Sequence, residues 1–146
     1  MNHHATTVAL GDEGVFIVGE PRAGKTSLAL AAIAMWQAKG RFAALVADDQ
    51  TLVSVHHGRL IGHAPEATAG LMELSGAGVY AAPSTLQAVR VSLLARLSSS
   101  PERMPAGTGT VEGISLPAID LHPRQATLGA AVLWAVCHGE RLDAPM

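Results

Sequence analysis

Cysteine occurs once in the 146 residues, at Cys137. A single thiol excludes an intramolecular disulfide framework and a cysteine zinc cluster, and it fits a reducing cytosol. Aromatic residues make up 3% of the chain, too few for a module that stacks bases on exposed rings. Neither charge dominates: 10 Lys and Arg oppose 12 Asp and Glu, for a net charge of −2 with His neutral. No basic field is present to hold a phosphate polymer, so nucleic acid is not an expected partner. Long hydrophobic runs are missing too. The longest, Leu28 to Trp36, is about half the length that crosses a bilayer, so no membrane partner is expected. The opening Met1-Asn-His-His-Ala5 lacks the basic and then apolar segments of a secretory signal. What is present is 49% hydrophobic and 15% charged, largely alanine with Leu and Val. That composition can bury a core, and it predicts one cytoplasmic globular domain over residues 1–146.

Apolar patterning predicts a mixed α/β domain. Val8–Leu10 and Gly14–Val18 read as strands around the Gly11-Asp-Glu-Gly14 turn. The second is continuously apolar, as a strand covered on both faces requires. Residues 25–38 hold good helix formers without Pro or Gly, and Gly40 supplies a stop. Phe42–Val46 reads as a strand ending in Ala47-Asp48-Asp49, followed by a hairpin over Thr51–His56 and Arg59–Ile61. Glu66–Met72 suits a short helical turn, and Leu71–Tyr80 a strand or loop with two glycines. Alternation over Ala88–Leu97 favours one strand. The Ser, Pro, Gly and Thr of Ser98–Thr110 suggest a mobile loop. Ile114–Leu121 reads as a strand, and Gln125–Gly139 as a last helix burying Ala130–Val136.

The strongest local signal is Gly19-Glu-Pro-Arg-Ala-Gly-Lys-Thr26, which fits G-x-x-x-x-G-K-[ST] between a buried strand and a helix. Gly19 and Gly24 let backbone N–H groups turn toward phosphate oxygens, and the helix N-terminus adds partial positive charge. On this reading Glu20, Pro21, Arg22 and Ala23 complete a nucleotide-binding loop. Lys25 reaches the outer phosphates of ATP, and Thr26 ligates Mg²⁺. Arg22 either contacts a phosphate or lies in solvent. The alternative is a strand–turn–helix junction that merely uses Gly and Lys.

Such a loop needs a metal partner, often an Asp at the end of an apolar strand. Asp48 and Asp49 occupy such an end. Adjacent carboxylates there point to different sides, so one can hold Mg²⁺ while the other accepts a proton. Their bland reading is a polar turn capping backbone N–H groups. Glu73 alone would be a solvent-facing strand residue. His56, His57, His63, His122 and His138 show no metal-ligand spacing, and Cys137 reads as a small core residue.

Together these residues resemble the catalytic domain of HPr kinase/phosphorylase. The likeness runs from His4 to about Tyr80 and more weakly to about Pro123. His4-Ala-Thr-Thr-Val8 stands at the family's spacing ahead of the loop. Leu45-Val-Ala-Asp-Asp49 matches its acidic segment, and Leu71-Met-Glu-Leu-Ser-Gly-Ala-Gly78 its glycine signature. The resemblance implies a P-loop domain with mixed sheet and flanking helices, of phosphoenolpyruvate-carboxykinase-like type, in a short form without the family's N-terminal domain. It implies that Thr26, Asp48 and Glu73 hold Mg²⁺, that Asp49 exchanges the proton of a serine hydroxyl, and that His4 lies near the transferred phosphoryl group. It further implies ATP as donor and HPr, the phosphocarrier of the sugar phosphotransferase system, as partner. Removal of the phosphate by phosphorolysis and a hexameric homo-oligomer also follow from it.

There are departures. Ser75 stands where the signature has Arg, and the family's later Pro-x-Arg-Pro-Gly-Arg segment is not found. Arg90, Arg96 and Arg103 are possible substitutes for the missing charge. These losses touch the phosphorylase activity first. They also motivate a rival, a nucleotide-binding sensor that has lost catalysis. A generic small-molecule kinase is a third reading.

Overall fold

The computed structural model describes residues 1–99 and 107–139. The chain opens with β1 (Asn2–His3), β2 (Ala5–Leu10), β3 (Glu13–Gly19) and α1 (Lys25–Ala38). It continues through β4 (Ala43–Ala47), β5 (Thr51–His56) and β6 (Arg59–His63) to a hairpin of β7 (Leu71–Leu74) and β8 (Gly78–Ala81). β9 (Ala88–Arg90), β10 (Leu93–Leu97), β11 (Thr108–Val111), β12 (Ile114–Leu121) and α2 (Ala126–His138) follow. The result is the expected mixed α/β architecture.

Six strands form the main sheet in the order β11-β12-β10-β3-β2-β4. β10 runs parallel to both β3 and β12, while β2 runs antiparallel to β3 and β4. Four further strands, β1-β5-β6-β9, form a smaller sheet. The centre of β3, Val15–Val18, is continuously apolar because both faces of the strand are covered. Val15 and Ile17 pack with Leu28, Ile33 and Trp36 of α1 and Leu133 of α2. Phe16 packs on the other side with Val53, Leu60 and Leu116. Each of these fully buried side chains contributes about 1.5–3 kcal/mol relative to exposure.

Strand direction decides where chemistry can sit. The carboxyl ends of β3, β10 and β12 (Gly19, Leu97 and Leu121) share one edge. The antiparallel pairing of β2 brings its start, Ala5, and the end of β4, Ala47, to that same edge. Open α/β sheets bind ligands outside such strand ends.

The first helix covers the predicted residues. The hairpin turn His57-Gly58 also forms, with φ of 51° and 75°, between His56 and Arg59. Five local readings are corrected. Phe42 precedes β4 and is 55% exposed. Glu66–Thr68 alone makes a 3₁₀ turn, and Leu71 begins the β7–β8 hairpin. Ala88–Leu97 is not one strand. Val91 N donates to Leu60 O in the small sheet and Ser92 N to Gly14 O in the main one, so the chain changes sheets between β9 and β10. Thr108–Val111 is a strand rather than loop, paired with β12 through a Glu112-Gly113 turn with φ of 49° and 78°. Residues 100–106 of that predicted loop lie outside the described residues. In α2 only Gly129, Ala130 and Leu133 are buried, while Leu128 and Val136 are exposed, because the helix touches α1 along one narrow stripe.

Candidate functional site

β3 delivers Gly19 to the sheet edge, and the loop Glu20–Gly24 returns the chain to α1. The loop is built for tight backbone. A Cβ added at Gly19 would lie 3.0 Å from Leu97 Cβ and 3.3 Å from Ala23 Cβ. Gly24, the residue before the helix, has φ 96°, a conformation that L side chains rarely adopt. Arg22 also adopts positive φ, 67°, and its side chain is exposed together with Glu20 and Pro21. Ala23 N donates to Glu20 O at 3.0 Å and closes the turn.

Lys25, the first residue of α1, is 92% buried and curls back over the loop. Its Nζ donates to Gly19 O at 3.2 Å and Glu20 O at 3.4 Å, and lies 3.9 Å from Asp49 Oδ1. Thr26 Oγ1 donates to Asp48 Oδ1 at 2.7 Å. Asp48 is buried and fully engaged. Its Oδ1 also accepts from Thr6 Oγ1 at 3.1 Å, and its Oδ2 accepts from Glu73 N at 2.9 Å. The same Thr6 oxygen accepts from Asp49 N at 3.0 Å. One threonine on β2 thus sets both acidic residues.

The two carboxylates go opposite ways. Asp48 turns inward to Thr26, whereas Asp49, at φ 64°, turns outward with 63% of its side chain exposed. The left-handed backbone at Asp49 makes this reversal, and Asp tolerates that conformation better than most residues. Lys25 at 3.9 Å is too loosely paired with so exposed a carboxylate to contribute much stability.

Glu73 comes from β7, whose Met72 is buried against the helical core. Its backbone N–H is tied to Asp48, and its carboxylate is exposed. The donor set of Thr26, Asp48 and Glu73 is all oxygen, which suits a hard cation such as Mg²⁺. Among the described residues, no three His, Cys, Asp or Glu side chains form a ready-made metal cage. Mg²⁺ sites are commonly of this open kind, built from one or two carboxylates with phosphate oxygens and water.

His4 occupies the bend between β1 and β2, exposed, one residue beyond the Ala5–Val18 pair and hence beside the loop edge. It makes no hydrogen bond among the described residues. Its neighbour His3 is the engaged one, 2.7 Å from Glu112 and edge-on to Phe16. Ser75 lies in the exposed turn of the β7–β8 hairpin.

Sequence reading missed Arg124. Its backbone N donates to Ala23 O at 2.8 Å, and its own φ is 56°. A Cβ at Gly24 would lie 3.3 Å from Arg124 N. The chain after β12 therefore lays an arginine against the Glu20–Gly24 loop. The available signal was Arg124 between a strand end and a helix start, the junction where α/β sheets place ligand contacts. The earlier candidates are placed otherwise. Arg96 is committed to Asp120 at 2.7 Å. Arg90 packs its backbone on Gly14, at the far end of β3. Arg103 lies outside the described residues.

Residues 1–98 match the family model "HPr Serine kinase C-terminal domain". The chain belongs to that family. It is 36% identical over 81 residues to "HPr kinase/phosphorylase" of Clostridium tetani, a match that takes in 56% of this chain. The chain spans only a quarter (25%) of that relative's length. Its fold is similar to the solved structure of the Hpr(Ser) kinase/phosphatase from Coxiella burnetii, with a TM-score of 0.76 and 27% identity. That match covers 94% of this chain and 95% of the other. Among the described residues, no helix is long and apolar enough to cross a membrane.

Proposed function

We propose that this domain is an ATP- and Mg²⁺-dependent protein serine kinase whose substrate is an HPr-type phosphocarrier. The observation that carries the reading is the chain of contacts Lys25–loop, Thr26–Asp48–Thr6 and Thr6–Asp49. It joins a phosphate loop to one inward and one outward carboxylate at a single sheet edge. Family membership supports the same reading.

In the proposed reaction Gly19 to Thr26 bind the triphosphate, with Lys25 exchanging its two carbonyl partners for phosphate oxygens. Thr26, Asp48 and Glu73 would hold Mg²⁺, which supplies charge neutralisation for the phosphates. The serine oxygen attacks the γ-phosphorus, the bond to the bridging oxygen breaks and ADP leaves. Asp49 takes the serine proton, which its exposed, outward position allows. His4 lies beside the transferred group. Arg124, whose Nη1 donates to Arg22 O at 3.4 Å, would exchange that carbonyl for a phosphate oxygen, the part that the absent signature arginines would otherwise play. Positioning and charge stabilisation carry most of the rate, because the loose transition state needs little covalent help. In phosphorolysis Asp49 would return its proton to the departing serine oxygen. Assembly into a homo-oligomer is part of the same proposal.

A second reading is favoured by Ser75. The exposed hairpin turn beside Glu73 presents a neutral residue there. On this reading the domain binds nucleotide and recruits a partner without transferring phosphate. Transfer of label from γ-labelled ATP with Mg²⁺ to HPr from the same source separates the two. The kinase reading expects label on a serine, lost in Lys25→Ala. Nucleotide-dependent thermal stabilisation with no label would establish the sensor instead.

A further inference from the structure

The phosphate loop has two flanks, and the strand order of the main sheet separates them. β2 and β4 lie on one side of β3 and bring Thr6, Asp48 and Asp49. β10 and β12 lie on the other side, and β12 leads through His122-Pro-Arg-Gln125 into α2. The inference drawn here rests on the kinase reading, in which the γ-phosphate meets its acceptor beside Asp49. A triphosphate on the loop then runs away from Asp49, and its nucleoside leaves on the β12 side.

A cleft on that side is lined by Gly24, Leu97, His122, Arg124, Gln125 and Ala126. Open α/β sheets bind ligands in such crevices beyond the strand ends. Backbone contacts fix its walls. Ser98 N donates to Leu121 O at 2.9 Å, holding the end of β12 to the chain after β10. Arg124 N donates to Ala23 O at 2.8 Å, tying the junction to the phosphate loop. A Cβ at Gly129 would lie 2.7 Å from Leu28 Cδ1, so glycine lets α2 approach α1 closely enough to bring its first residues beside Gly24.

Two side chains lining this cleft are exposed and uncommitted. Gln125 stands immediately before α2, where a side chain commonly caps the helix, yet its amide makes no capping bond. Among the described residues, the His122 ring has neither a hydrogen bond nor a ring partner. A flat imidazole offers a stacking face to a base. A side-chain amide offers one donor and one acceptor. Adenine presents the complement of that pair, an N6 donor beside the N7 acceptor, whereas guanine presents two acceptors, O6 and N7. We propose that His122 and Gln125 form the nucleoside subsite of this domain. His122 stacks on the base, and Gln125 pairs with adenine N6 and N7. The subsite thus selects ATP over GTP and over a bare polyphosphate.

The test is calorimetric titration of the full chain with ATP, GTP and inorganic tripolyphosphate, each with Mg²⁺, which reads binding without turnover. ATP should bind about tenfold tighter than GTP, and tripolyphosphate more weakly than either. His122→Ala should weaken ATP and GTP about tenfold each, as loss of one stacked base implies, and leave tripolyphosphate unchanged. Gln125→Ala should weaken ATP about tenfold, to the level of GTP, and also spare tripolyphosphate. Both side chains are exposed, so the variants should fold, and an unchanged melting temperature checks this. Lys25→Ala should weaken all three ligands. Equal affinity of the parent for ATP and tripolyphosphate would overturn the subsite and leave the phosphate loop standing. So would equal affinity for ATP and GTP, or ATP binding unchanged in either variant. Binding of none of the three would overturn the phosphate loop and the subsite together. The expected binding pattern without label on HPr would remove the kinase and keep the subsite.

Discussion

Thr26 donates a 2.7 Å hydrogen bond from its hydroxyl to Oδ1 of Asp48, joining the first turn of α1 to the end of β4. The same carboxylate oxygen accepts from Thr6 on β2, so three elements meet on one buried group. Thr6→Val keeps the shape and removes the hydroxyl, leaving Asp49 N without its acceptor and Asp48 without one of its three donors. It should cost about 1–3 kcal/mol in urea unfolding, and Thr6→Ser should restore most of it. Equal stability of Thr6→Val and the parent would dissolve the idea that Thr6 sets the acidic pair.

Asp49 stands outside this buried network, so its chemistry and its structure can be separated. Asp49→Asn should slow phosphoryl transfer by about 10²–10⁴-fold, the ordinary worth of a positioned base. Nucleotide affinity should change little, since the side chain is mostly exposed and only loosely paired with Lys25. Titration calorimetry beside the labelled-ATP assay reads both quantities.

Arg124 is held by its backbone to Ala23, and its exposed Nη1 donates to Arg22 O at 3.4 Å, so the guanidinium lies on the loop. Arg124→Ala should lower kcat by about 10²–10³-fold, as for loss of one preorganised donor at a developing charge. Melting temperature should move little, because the side chain removed is exposed. Unchanged kcat in this variant would return the question to the arginines of the signature.

Gly14 tests the crossing of the sheets. A Cβ there would sit 2.1 Å from the carbonyl oxygen of Arg90, a contact with backbone that no rotamer relieves. Gly14→Ala should destabilise by about 1–3 kcal/mol or more, measured by denaturant midpoint. Gly58→Ala serves as the comparison, since nothing lies within 4 Å of its Cβ and only its φ of 75° opposes the change.

Burial, reinforced by the nearby Glu13 carboxylate, pushes the Cys137 thiol up from 9.0 to about 11. The unfolded chain releases this proton first, so between about pH 9 and 11 the unfolded state binds fewer protons. The thiol's contribution to stability is therefore whole below pH 9 and falls as pH rises through that window. Cys137→Ser should flatten the alkaline limb of a stability–pH profile. Alkylation of native protein at neutral pH should be slow, because little thiolate is present.

Much of this was legible in the residues alone. The period of Gly14–Val18, the helix formers of 25–38 and the spacing Gly19 to Thr26 are local patterns, and local patterns need only neighbours in sequence. The acidic pair after β4 was legible for the same reason, since a strand end exposes polar groups wherever the strand lies. The sequence could also place Asp48 and Asp49 on different sides, because adjacent residues must diverge. It could not say that Asp48 would be the inward one, for that depends on Thr6 and Glu73, far away along the chain.

The tertiary structure decided the rest. Val91 and Ser92 look like the middle of a strand, yet their N–H groups pair with different sheets, a choice made by packing and invisible to alternation. Arg124 and Gly24 are a hundred positions apart in sequence, and only the parallel pairing of β3, β10 and β12 brings their backbones together. Trp36 read as one more apolar residue of a helix, but its buried nitrogen, without a partner among the described residues, exists only once Gly11 and Trp134 close around it. Local sequence determined the elements and the loop, because hydrogen bonds and φ preferences act over a few residues. Which side chains meet was left to the fold, because that depends on strand direction and on what each face must bury.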